Sequence, residues 1–171
     1  MNAMIRVYDA VVDGLAAIAG LLLVLCIVGI VLDVTGRYFW NTPLPWVFEL
    51  TEYALLYIPC LGMAWLARDG GHVAVDIVTA NLRPSTRLLL GALVSLVTAV
   101  VCALIAYWGL MTTWDSFERG ITIDKYLRIP RWAILGVIPL GFALTAVEFA
   151  RIARSNLARW RGSAAEHSDR A

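Results

Sequence analysis

Residues 88–111 read LLLGALVSLVTAVVCALIAYWGLM, an uncharged run longer than the roughly 20 apolar residues that carry an α-helix across a bilayer. Three further stretches qualify or come close, each with some charge toward an end: residues 11–32 with Asp13, 47–66 with Glu49 and Glu52, and 132–149, the shortest, with Glu148. The whole chain is 60% hydrophobic and 16% charged over 171 residues. A soluble domain carries about 25% charge, and a core of this size could not hold the surplus apolar side chains. The sequence therefore predicts an all-α integral membrane protein with four transmembrane helices and interfacial amphipathic segments. Residues 1–161 form one transmembrane domain in this reading, and the small, polar residues 162–171 are expected to lack structure.

The first apolar run, Gly14 to Leu32, exceeds the 7–15 residues of a signal-peptide core and ends in Asp33-Val34-Thr35-Gly36-Arg37 without an A-x-A-like site. It is read as a retained helix. Cys26, Cys60 and Cys102 sit apart in apolar runs, as small buried hydrophobes rather than a disulfide or metal framework. The net charge of +1 and the absence of a basic patch give no sign of nucleic-acid binding.

Four spans place both chain ends on one side. That side carries nine cations: Arg6, Arg68, Arg83, Arg87, Arg151, Arg154, Arg159, Arg161 and Arg170. The other side carries five: Arg37, Arg119, Lys125, Arg128 and Arg131. The positive-inside rule then puts both termini in the cytoplasm. Trp40, Trp46, Trp108, Trp114 and Trp132 fall near span ends on the opposite side, as an interfacial aromatic belt does. From residue 150 to 161, Ile152, Leu157 and Trp160 alternate with arginines, predicting a basic amphipathic extension along the cytoplasmic membrane face.

Close helix approach in lipid needs small residues. Gly91, Ser95, Ala99 and Ala103 recur every four residues and predict a packing face on the third span; Ala16 and Gly20 offer a shorter one on the first. Pro59 and Pro139 are expected to kink their helices.

Charge inside a membrane span is a functional hypothesis by default. Glu49 and Glu52 share one face at the start of the second span. They could form a proton- or cation-coupling pair, or anchor the helix at the interface, facing a partner helix or paired with nearby Arg37. Their shallow depth, and the lack of any deeper charge, favour the anchor. Arg68, Asp69, His72 and Asp76 cluster just past this span. A metal site would need another ligand, and His167 lies in the tail, so capping and surface roles fit better. Val73, Ile77 and Ala80 supply the apolar stripe of a short interfacial helix. Nucleotide, nucleophile and zinc-hydrolase signatures are absent, and neither catalysis nor a cofactor is expected.

The segment Arg37-Tyr38-Phe39-Trp40-Asn41, followed by Trp46, Glu49-Leu50, Gly62, Arg68, His72, Val73 and Asp76, resembles the signature region of the small permease subunits of tripartite ATP-independent periplasmic (TRAP) transporters. Glu52 aligns with no family carboxylate, and spans three and four carry no diagnostic motif.

The resemblance implies a bacterial inner-membrane subunit partnered by a large membrane subunit, which holds the sodium and substrate sites and moves as an elevator. It also implies a periplasmic binding protein that delivers an organic acid such as a C4-dicarboxylate, a sugar acid or sialic acid. The small subunit would brace the large one and offer a docking surface. Its third loop, with Asp115, Glu118, Arg119, Asp124, Lys125 and Arg128, has the charge for a salt-sensitive contact, which a merely solvated loop would share. Two rivals are a haem-bearing redox anchor, for which the spans lack histidine ligands, and a stand-alone exporter using Glu49 or Glu52.

Overall fold

A computed structural model describes residues 2–41, 44–69, 84–123 and 127–168. In chain order they form α1 (Asn2–Trp40), α2 (Pro45–Arg68), α3 (Pro84–Glu118), β1 (Thr122–Ile123), β2 (Ile129–Pro130), α4 (Arg131–Leu135) and α5 (Val137–Ser168). Four helical stretches are long and apolar enough to cross a membrane, the fourth made of α4 and α5 together. The 35-residue α3 is about 52 Å long, so it projects well beyond a 30 Å hydrocarbon layer.

Local chemistry sets the helix ends. Asn41 takes φ +52° and stops α1, a left-handed position that asparagine tolerates. Pro45 opens α2, where its missing N–H costs nothing. At the end of α3, Gly120 takes φ +59°; its N–H bonds Phe117 O, and Ile121 N–H bonds Ser116 O. That pair of bonds is a Schellman cap. Beyond it, β1 and β2 pair antiparallel, with Thr122 opposite Pro130 and Ile123 opposite Ile129.

The principal contacts join the helices in a row: α1 on α2, α2 on α5, and α5 on α3, which is the largest interface. Between α1 and α3 an apolar groove of about 640 Å³ opens over α5, walled by Val11, Leu15, Tyr107 and Leu110 with Pro139 and Leu140 as its floor. The core gathers where α1, α2 and α5 meet, around Ala19, Cys60, Leu61 and Val137. There α2 and α5 meet backbone to backbone: a Cβ built on Gly141 would collide with the Cys60 carbonyl group.

The α3 seam differs from the expected one. Gly91 approaches the Asn156 side chain, and Ser95 and Ala99 are buried, but Ala103 is exposed. The residues turned inward are Ala92, Ser95, Ala99, Cys102, Ala106, Gly109, Thr113 and Ser116. They alternate steps of three and four, which holds a seam against a neighbouring helix, whereas steps of four drift around the helix by about 40° each. On α1 the same alternation runs through Val12, Leu15, Ala19, Leu22, Cys26, Gly29, Asp33 and Gly36, leaving Gly20 exposed and Ala16 half-buried.

The two prolines also act differently. Pro59 lies inside an unbroken α2. The fourth span instead breaks at Gly136, and Pro139 falls in the first turn of α5. Proline has no N–H to return to the Leu135 carbonyl, so the break precedes it by one turn. Tyr57 OH donates to the Ala133 carbonyl at 2.7 Å beside that break. Finally, α5 continues through residues 162–168, into the segment expected to lack structure; Ala164, Ala165 and Glu166 are good helix formers.

Candidate functional site

Polar chemistry collects at the two ends of the helix row, and the uncharged middles separate them. At the end opposite the termini, Asp33 of α1 does two jobs. Its Oδ2 accepts from Arg37 Nη2 at 2.8 Å, and its Oδ1 accepts from the Leu44 N–H at 2.8 Å. Leu44 is the residue that caps α2, so a side chain of one helix satisfies the start of the next. This fixes the α1–α2 corner that contains Asn41. Arg37 thus has its counter-ion within its own helix, and the expected partnership with Glu49 gives way to it.

Glu49 is buried and turns toward the third loop. Its Oε2 accepts from the Leu127 N–H at 2.7 Å, and Arg131 N–H bonds Ile121 O at 3.0 Å in the same loop. The β1–β2 ladder and this carboxylate together hold the loop against the mouth of α2. Glu52, one turn on, is exposed. Tyr38 is 83% exposed and stacks edge-on with Phe39, also exposed; Trp46, Trp108, Trp114 and Trp132 likewise present their rings outward.

Asp115, Glu118 and Arg119 belong to the end of α3 and its cap rather than to a loop. Arg119 Nε pairs with Asp115 at 2.8 Å, and Trp114 Nε1 donates to Glu118 at 2.7 Å. All remain accessible, as does Arg128. Asp124 and Lys125 lie outside the described residues.

The end that carries both termini holds an ionic network that the sequence reading did not assemble. Arg68, at the end of α2, pairs with Asp13 of α1 and reaches Asp9 at 3.9 Å. Asp9 also accepts from Arg151 of α5 at 3.1 Å, and Arg151 meets Glu148 at 3.1 Å. Glu148 is only 4% exposed. The Arg151 guanidinium sits 5.2 Å from the centre of the Tyr8 ring, whose OH donates to Leu144 O at 2.8 Å. Three helices are thereby tied at one level. Asp69 is exposed, and His72 and Asp76, with the expected interfacial helix around them, lie outside the described residues. The usable signal was the spacing of Asp9 and Asp13, four apart on one face, at the same end as Arg68 and Arg151.

Gly62 stands apart from these groups. Among the described residues a Cβ there would meet nothing within 4 Å, so packing against them does not require glycine.

Comparison with known proteins places this geometry in a family. Residues 25–159 match the family described as the DctQ component of tripartite ATP-independent periplasmic transporters. The chain is 26% identical over 127 residues to the ectoine TRAP transporter small permease protein TeaB of Halomonas elongata, covering 74% of this chain and 65% of that protein. It is 30% identical over 116 residues to the C4-dicarboxylate TRAP transporter small permease protein DctQ of Pseudomonas aeruginosa, covering 63% and 52%. With the protein of the same description from Vibrio cholerae it shares 23% over 143 residues, covering 71% and 61%. The matched region thus spans about half to two-thirds of these relatives' lengths. The match over most of the sequence, together with four membrane-length helices, settles the assignment: this chain belongs to the DctQ family of small permease components of TRAP transporters.

Proposed function

We propose that this chain is a non-catalytic inner-membrane subunit that braces a larger permease subunit in sodium-coupled uptake of an organic acid. In this reading both termini are cytoplasmic, and the Glu49-pinned loop with the end of α3 helps dock a periplasmic substrate-binding protein. One observation carries the bracing role. Residues 14–32, 53–67, 88–114 and 132–147, the middles of the four spans, contain no charged residue. A coupled pathway needs ionisable or water-lined groups near the midplane, so sodium and substrate are assigned to the partner.

The open row supports the same reading. The outer faces of α1 and α3, including Leu25, Val28, Leu104 and Trp108, are left uncovered by the other described residues, and a partner's helices would extend the row there. Exposed Tyr38 and Phe39, accessible Arg37, and unfilled Gly62 are proposed assembly positions. Asp115, Glu118, Arg119 and Arg128, with Asp124 and Lys125, are proposed docking positions. The relatives are named for two different solutes, ectoine and C4-dicarboxylates, in keeping with a substrate choice made by other subunits.

Flux measurements in proteoliposomes test the proposal. The chain alone should give no sodium-driven uptake of a labelled C4-dicarboxylate, and the chain with its large subunit and binding protein should restore uptake of the system's own organic acid. Flux from the chain alone, abolished by Glu49→Gln, would instead establish an independent exporter or carrier.

A further inference from the structure

The α3–α5 interface contains a mismatch of solvent preference at the end that carries the termini. Gly91 faces Asn156, and Gly109 faces Ile138 and Pro139, so the two helices run antiparallel in steady register. That register lays the uncharged stretch of α3 that follows Arg87, from Leu88 onward, beside the part of α5 that begins with Glu148 and carries Arg151 and Arg154. An apolar helix face and a basic one therefore share a single depth. Between them lies a groove of about 510 Å³, within the range of small-molecule sites, walled by Leu89, Leu93 and Leu96 on α3 and by Ala150, Ala153 and Arg154 on α5. The alanines make it deep.

We propose that this groove binds one anionic phospholipid of the adjacent leaflet, with an acyl chain against the α3 leucines and its phosphate at Arg154. Arg151 is already held by Asp9 and Glu148, whereas Arg154 is exposed and makes no ion pair among the described residues. Arg161 lies seven residues further along the same face of α5 and is also exposed, so cationic charge continues where a headgroup would sit. An arginine at this level satisfies its donors on phosphate while its stem follows the apolar wall. An apolar helix from a partner would leave that guanidinium without a counter-ion in the interface. The lipid supplies both halves of the mismatch. This inference stands apart from the transport assignment, because its test reads lipid and not uptake.

Native mass spectrometry of the purified protein, with whatever subunits accompany it, tests the site after delipidation and addition of phosphatidylglycerol or phosphatidylcholine. Wild type should retain phosphatidylglycerol preferentially. Arg154→Ala should weaken that retention about fivefold, the effect of one cation at an anionic surface; Arg154→Lys should keep most of it. Ala150→Leu, at an exposed position on the groove wall, fills the groove and leaves the charge, and should also reduce it. Equal retention of the two lipids, or an Arg154→Ala protein that behaves as wild type, overturns the site. So does a photo-crosslinker at Leu93 that captures polypeptide in preference to lipid.

Discussion

The Glu49 carboxylate and the Leu127 amide, 78 residues apart, meet at 2.7 Å and join the start of α2 to the third loop. Glu49→Ala removes the acceptor and leaves a half-buried N–H unpaired. A hydrogen bond to a charged group is worth about 1.5–3 kcal/mol, so exchange at the Leu127 amide should accelerate about tenfold or more. Glu49→Gln keeps an oxygen acceptor and should stay near wild type, in amide protection and in uptake by the assembled system. Loss of uptake in Glu49→Gln with the loop intact would point to a coupling carboxylate.

Gly141 and Gly62 make an opposed pair. At Gly141 the added Cβ collides with the Cys60 backbone, which cannot move aside as a flexible side chain can. Gly141→Ala should cost about 2 kcal/mol or more through forced separation of α2 and α5, read as a lower unfolding midpoint in detergent. Gly62→Ala should leave that midpoint unchanged. A Gly62→Leu protein that folds normally but fails to assemble would locate a partner helix at that face; normal assembly would remove Gly62 from the proposed contacts.

Arg151→Ala leaves Glu148 as a buried carboxylate without its cation. Breaking a fully buried pair costs about 3–5 kcal/mol and an exposed one under about 1, and with Arg151 itself partly accessible we expect about 2 kcal/mol. Adding Glu148→Gln to Arg151→Ala should recover part of the loss, because the unpaired charge is then gone. Thermal unfolding of the two variants checks this, and an Arg151→Ala protein as stable as wild type would show that the network contributes little.

Ala99 and Ala103 separate the two ways of reading the α3 seam. Ala99→Leu puts a large side chain into the buried contact with α5 and should destabilise by about 1–3 kcal/mol. Ala103→Leu adds an apolar side chain to an exposed face and should be tolerated. The reverse ranking in an unfolding assay would restore the four-residue stripe.

Much of the architecture was legible because each span is one long apolar run, and hydrocarbon thickness converts run length directly into a helix. The helix ends ran past those runs because amphipathic turns such as Trp114 to Glu118 do not register as apolar. Within this chain the α3 seam leaves the expected four-residue stripe at Ala103, because four-residue steps drift around a 3.6-residue helix. At the site, Glu49 was legible as an interfacial carboxylate, but its partner was not, since a backbone amide leaves no mark in sequence. Gly141 is likewise indistinguishable from other span glycines until Cys60 is placed against it. The Asp9–Arg151–Glu148 cluster needed the chain ends brought together, which single-helix periodicity does not supply.

Affinity purification from native membranes tests the central claim, that this chain acts as one part of a larger permease. A photo-crosslinker placed at Leu25 or Val28 on the uncovered face of α1 should be read in the same preparation. The account predicts that a second, larger multi-spanning protein co-purifies in fixed ratio and is the species captured from α1. Recovery of this chain alone, with only lipid or further copies of itself captured, would contradict it.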